Sequence, residues 1–224
     1  MGFKMRDLNQ QMFKFRYDQN FSEDDFYVSK SNQHIFDFIN KWPKWEKNLL
    51  NISGPKFSGK THLINIFIKN FDGFKLEAHL INDDFLKEVK LQKNIILENL
   101  SNEIDENILY TLINLIEQND KFLIITSIKP IVEMKFNLND LKSRFKNFLL
   151  QRIEQPDDEL MFALILKFLS DRQISLDKKL IDYIINRIDR SYGKIFDFIY
   201  KIDEVSLKKK KSIDFKIIKD VLEE

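Results

Sequence analysis

The 224-residue chain contains no cysteine, which excludes disulfides and thiolate metal centres. Its three histidines, His34, His62 and His79, do not form a ligand-spaced cluster, so a metal-hydrolase reading is poor. Glycine and proline are scarce, with five and four copies, and long flexible linkers are not expected. No uncharged apolar run approaches the ~18 residues that a membrane-spanning helix needs. The opening MGFKMRDLNQQ has no apolar signal core. Nor is there an excess of one charge: 36 Lys+Arg face 35 Asp+Glu, for a net +1, so nothing attracts the chain generally to DNA or anionic membrane. A cytoplasmic protein that avoids the membrane is the expectation. A hydrophobic content of 43% is ample for one large core or two small ones.

The first twenty or so residues show no sustained period and read as a tail. Ser31 then stands before a stripe of Ile35, Phe36 and Ile39, which predicts a helix capped by Ser31 and running to Lys41. Leu49–Ser53 is a short apolar run ending at Gly54, as in a buried strand, and Lys60–Asn70 carries the helical stripe Leu63, Ile64, Phe67, Ile68. Phe74–Ile81 alternates loosely as a further strand. Asn94–Leu97 and Phe122–Thr126 read as strands buried on both faces, with a helix over Ile104–Gln118 between them. Alternating strands and helices predict an α/β parallel sheet with helices on its faces. After Glu154 the pattern is helical only: Asp157–Arg172, Asp177–Ile188, Ser191–Leu207 and Phe215–Leu222. The predicted division is a tail over 1–20, an α/β base over 21–154 and a small all-α domain over 155–224. Lys208–Lys211 reads as a solvated turn, because four lysines alone bind phosphate weakly.

One stretch carries chemistry. Residues 54–61 read GPKFSGKT, the pattern G-x-x-x-x-G-K-[ST], between a predicted strand and a predicted helix. Gly54 and Gly59 let backbone N–H groups turn inward around phosphates, and the helix points its positive end at them. Lys60 supplies charge to the terminal phosphates and the Thr61 hydroxyl can ligate Mg²⁺. With five glycines in the chain, two at this spacing before Lys-Thr are hard to obtain by accident. The companion feature, an apolar strand ending in acids, is Ile95-Ile96-Leu97-Glu98, but the second acid is replaced by Asn99. Glu98 could hold Mg²⁺ through water, although taken alone it also reads as a strand-end surface acid. Asn99 cannot accept a proton from water, so the contribution of a general base is lost. The expectation is a nucleotide that is held and hydrolysed slowly or not at all.

GPKFSGKTHLINIF resembles the phosphate loop of the bacterial DnaA initiators, in which GKTHL is typical. The similarity is closer to the family's short Hda-like members, the regulatory inactivators of DnaA. Phe26–Asn32 resembles the family's segment beside the adenine pocket, Trp42-Pro43-Lys44-Trp45 the W-P-x-W of one Hda branch, and Leu141–Phe145 the L-K-S-R-F stretch carrying an arginine finger. Arg190-Ser191-Tyr192 and Asp203–Leu207 resemble its lid helices. The resemblance spans Phe26 to Leu222. It implies an AAA+ P-loop fold, a parallel sheet flanked by helices and followed by a small all-α lid. It also implies ADP or ATP with Mg²⁺ held by Gly54, Pro55, Lys56, Phe57, Ser58, Gly59, Lys60, Thr61 and His62, with Thr61 and Glu98 on the metal side.

Three positions depart from the family. Besides Asn99, Ile128 stands where a polar sensor is usual, and Gly193 where DnaA has a nucleotide-sensing arginine. All three changes fall on groups that read or attack the terminal phosphate. The resemblance therefore implies a structural nucleotide, with ADP favoured, and an Arg144 that serves another subunit's nucleotide. Without the resemblance, Arg144 reads as a surface arginine paired with a local acid. The tail residues Gln10, Gln11, Met12, Phe13 and Phe15 resemble the Hda peptide that binds the DNA polymerase III sliding clamp. Aromatics folding back on the core remain the alternative there, and Lys14 departs from the peptide's usual pattern. The expected partners are DnaA and the clamp's β subunit, with self-association open. Specific DNA binding by this chain is not expected, because it ends at Glu224 without a helix-turn-helix domain. Two other classes stay open: a self-sufficient ATPase that loads or remodels a replication factor, and a scaffold that uses the fold without nucleotide.

Overall fold

The computed structural model describes residues 26–223. The clamp-peptide expectation for Gln10–Phe15 therefore lies outside the described residues. The order of elements is α1 (Gln33–Asn40), β1 (Leu49–Ser53), α2 (Lys60–Phe71), β2 (Phe74–Glu77), α3 (Asp83–Val89), β3 (Asn94–Leu100), α4 (Glu106–Gln118), β4 (Phe122–Ser127), α5 (Asn139–Phe145) and β5 (Leu149–Arg152). Four more helices follow: α6 (Asp158–Ser170), α7 (Lys178–Ile185), α8 (Tyr192–Lys209) and α9 (Phe215–Leu222).

The five strands form one parallel sheet in the order β2-β3-β4-β1-β5. The central strands β1, β3 and β4 are buried on both sides because each side meets helices, whereas the edge strands β2 and β5 are only partly buried. Ile95, Leu97, Leu123 and Ile125 pack with Leu109, Leu112, Ile113 and Ile116 of α4 on one face. The intervening Ile96 and Ile124, with Leu50 and Ile52, pack against α1 and α2 on the other. This is the period-2 alternation of a strand expressed as two cores. The last four helices have their own core, which includes Met161, Ile165, Ile184, Ile199 and Ile218. Leu160 and Tyr192 belong to those helices yet pack into the α1–α2 face of the sheet, and so fasten the helical part to it.

Several expectations are corrected in detail. The residue at the N-cap position of α1 is Asn32, not Ser31, and its side chain makes no capping hydrogen bond; the Asn32 Oδ1 accepts the Ser29 N–H at 2.8 Å instead, and the Ser31 hydroxyl pairs with that of Ser29. The strand expected over Phe74–Ile81 stops at Glu77 and tightens into a 3₁₀ turn over Ala78–Leu80. α3, α5 and β5 have no counterpart in the predicted elements. The lysine run is only partly a turn: α8 continues to Lys209, and Lys210 closes it in a left-handed conformation. The start at Asp157 is as expected, its side chain accepting the Leu160 N–H at 2.8 Å.

Candidate nucleotide-binding site

β1 delivers Gly54 to the edge of a large cleft, and α2 begins at Lys60. The loop between them is anchored where the Gly54 N–H donates to the Ser127 carbonyl at 3.1 Å, tying it to the end of β4. Gly54 has no room for a side chain, since a Cβ there would lie 2.9 Å from Ser58 Oγ and 3.0 Å from Ile153. Gly59 has φ +87°, a left-handed geometry that a glycine reaches at little cost. Both glycines are thus required by geometry as well as by pattern.

The Lys60 ammonium is folded back into the loop and donates to the Gly54 and Pro55 carbonyls at 2.7 and 2.8 Å. Burial pushes its pKa down to about 8, against the opposing pull of the Glu98 carboxylate. Glu98 is itself buried, so the surface-acid reading of it fails. One of its oxygens meets Lys75 Nζ at 3.2 Å, and the other, Oε1, has no hydrogen-bond partner among the described residues. Ser58 Oγ is buried and, among the described residues, unpartnered as well. Buried polar atoms rarely stay unpaired. A spare acceptor on a carboxylate, a spare hydroxyl and an ammonium bound only to carbonyls are the groups a metal-chelated polyphosphate would pair. The residues present therefore fit Mg²⁺ and a nucleotide; bound there, these would bring a divalent charge and a chain of phosphate oxygens.

Lys56 through His62 all line the cleft, as do Phe26, Tyr27 and Asn32 from the segment before α1. Phe26 stacks on Phe36 and meets His62 edge-on at 5.1 Å, making an aromatic wall beside α2. Asn99 and Ile128 also line the cleft, and Ile128 is 56% exposed there. Gly193 follows Tyr192, another lining residue, in the first turn of α8. Arg144 lies elsewhere. It sits at the end of α5, with its guanidinium 2.6 Å from a Glu117 carboxylate oxygen of α4, and is not among the lining residues.

Other functional contacts are invisible in the spacing of the sequence. Phe57 has φ +66° and its ring stacks at 4.1 Å on Phe196 of α8, so the phosphate loop touches the helical part directly. Phe162, Leu166 and Ile185 supply much of the cleft's far wall. The Tyr192 hydroxyl donates to the Glu154 carbonyl at 3.1 Å, and Arg190 pairs with Asp158 at 2.7 Å.

Comparison with known proteins agrees with this arrangement. Residues 157–222 match the family model described as Hda, lid domain. The DnaA of Onion yellows phytoplasma (strain OY-M) is 27% identical over 253 aligned positions, covering 91% of this chain and 50% of that protein. Domain III of the Thermotoga maritima DnaA superposes with a TM-score of 0.71 at 18% identity, over 91% of this chain and 95% of that one. The chain is a DnaA/Hda-like AAA+ protein. Its sheet, flanking helices and C-terminal lid are those of the AAA+ fold. The AMPPCP-bound DnaA of Aquifex aeolicus shares that fold, with a TM-score of 0.62 at 20% identity, over 82% of this chain and 64% of that one. This DnaA/Hda-like chain spans 50% or less of the first curated relatives it matches. Among the described residues, no helix is long and apolar enough to cross a membrane.

Proposed function

We propose that this DnaA/Hda-like protein regulates replication initiation by holding a nucleotide, ADP or ATP with Mg²⁺, and presenting Arg144 to ATP bound by DnaA. In this reading Gly54–His62 grip the phosphates, Thr61 and Glu98 face the metal, and Gln10, Gln11, Met12, Phe13 and Phe15 dock on the sliding clamp. Hydrolysis then occurs in DnaA, and re-initiation is restrained. Residues 1–20 act as the clamp-binding tail, 21–154 as the base and 155–224 as the lid.

One observation carries the reading. The phosphate loop is intact, whereas Asn99 and Ile128 put an amide and an alkyl group into the same cleft. Arg144, a side chain suited to neutralising a transferring phosphoryl group, stands outside that cleft and is 37% exposed. An arginine supplied from another subunit adds about 10³–10⁵ in rate. Glu117 holds one arm of its guanidinium, and a guanidinium has other donors to offer. One observation favours a second reading, the self-sufficient ATPase: Glu98 is buried beside Lys60 with an oxygen to spare.

The test is hydrolysis of ATP pre-bound to the cognate DnaA, with clamp loaded on DNA, with and without this protein. Arg144→Ala and Phe13→Ala/Phe15→Ala variants run alongside. Acceleration that each variant abolishes is the expected result. No acceleration by a chain that still binds nucleotide would overturn the proposal. Turnover by the isolated chain, abolished by Lys60→Ala, would establish the second reading.

A further inference from the structure

Glu77 and Asn99 meet at the ends of adjacent strands. Glu77 is the last residue of β2 and lies in register with Glu98. The pairing of β3 shifts after Leu97, and Asn99 takes up a left-handed backbone at φ +59°, which asparagine tolerates better than most residues. Its backbone N–H donates to Thr126 Oγ1 at 2.9 Å. Its side-chain Nδ2 then lies 3.2 and 3.0 Å from the two carboxylate oxygens of Glu77. Asn99 lines the nucleotide cleft, and Glu77 does not.

A carboxylate is acceptor-only, so it can hold an asparagine only by the NH₂ group. The Asn99 Oδ1 must then turn away from Glu77. With its NH₂ held by Glu77, Asn99 can offer the cleft only a neutral acceptor. It can receive a hydrogen bond from water but cannot take the proton.

We propose that Glu77 and Asn99 form an acid–amide pair across neighbouring strands, with Glu77 the positioning residue that keeps Asn99 a proton-inert water acceptor. This rests on the nucleotide-holding reading above and predicts low turnover in that cleft. In hydrolysis the water oxygen bonds the terminal phosphorus, the bridging P–O bond breaks, and its electron pair leaves with the diphosphate. The water proton must go to an acceptor. On the cleft the native pair offers an amide, while the carboxylate stands one strand away. Trading the two side chains would place the carboxylate on the cleft and the amide on β2. Replacing Asn99 alone by an acid sets that group against Glu77 at hydrogen-bonding range, where like charges repel.

The experiment uses the full chain in four forms: native, Asn99→Glu, Glu77→Asn and the double exchange Glu77→Asn/Asn99→Glu. ATP turnover is measured on each, together with the affinity for a fluorescent ATP analogue and the melting temperature. The native chain and Glu77→Asn are expected near background. The double exchange is expected to exceed the native chain by about 10²–10⁴-fold in kcat, the range a general base supplies. It should also exceed Asn99→Glu by about tenfold, with analogue affinity unchanged within about threefold across all four. A folded, nucleotide-binding double exchange no faster than Asn99→Glu would overturn the inference. So would a large loss of affinity in Glu77→Asn, which would mark Glu77 as merely structural. If none of the four folded proteins binds the analogue, the nucleotide-holding reading itself falls and the inference falls with it.

Discussion

Lys60 makes nucleotide affinity depend on pH in a calculable way. Its ammonium is desolvated in the loop, and its pKa is held at about 8. Bound phosphate would restore its charge state by pairing with it. Binding therefore draws on the protonated fraction of the free protein, about nine-tenths at pH 7 and about one-tenth at pH 9. Affinity for ADP should fall about tenfold between those pH values, roughly 1.4 kcal/mol. The phosphates themselves add little, their last ionisation being about nine-tenths complete at pH 7. The assay is anisotropy of fluorescent ADP at both pH values, with Lys60→Arg as control. A guanidinium does not titrate there, so the variant's affinity should be flat. A native ratio under about twofold, or the same slope in Lys60→Arg, would refute the reasoning. Stability moves the other way. The folded value lies below the ordinary lysine value of 10.5, so between about 8 and 10.5 the unfolded chain binds more protons and stability rises with pH.

Two further outcomes follow from contacts already described. Gly193→Arg should be accommodated, since a Cβ there meets only Ser191 Oγ at 3.9 Å. The added cation beside Tyr192 should tighten triphosphate over diphosphate by about tenfold, the scale of one charged hydrogen bond; an unchanged ATP/ADP preference in competition binding would count against the cleft assignment. Tyr192→Phe removes the hydroxyl that reaches Glu154, and should cost about 1 kcal/mol, seen as a lower urea midpoint at unchanged slope.

The phosphate loop and its flanking elements were legible because their signals are local. Two glycines at fixed spacing, an apolar strand before them and a helical stripe after them all lie within Leu49–Phe71. The four lid helices were legible for the same reason, each having an apolar face long enough to show its period. α5 and β5 were not: seven and four residues give no readable period, and β5 is a half-buried edge. The start of α1 was misread because Ser31 and Asn32 both suit the cap position; Asn32 occupies it, yet its side chain serves the preceding turn through the Ser29 N–H and makes no capping bond. The Glu77–Asn99 pair spans neighbouring strands separated by a helix, so no spacing rule could disclose it. Glu98 looked ambiguous because burial, which decides its case, is a property of the whole sheet.

The stacking of Phe57 on Phe196 has a consequence for how the cleft is addressed from outside. A phenylalanine in the left-handed region costs about 1–3 kcal/mol, and here its ring rests on a helix whose Phe196 is also flanked by Phe168 and Arg172. The loop's shape is thus leased from α8. Coupling of this kind is reciprocal: whatever changes one end changes the other by the same free energy. α8 reaches the surface, with Tyr200 49% and Leu207 63% exposed. A partner that gripped those side chains would act on the helix that supports the phosphate loop.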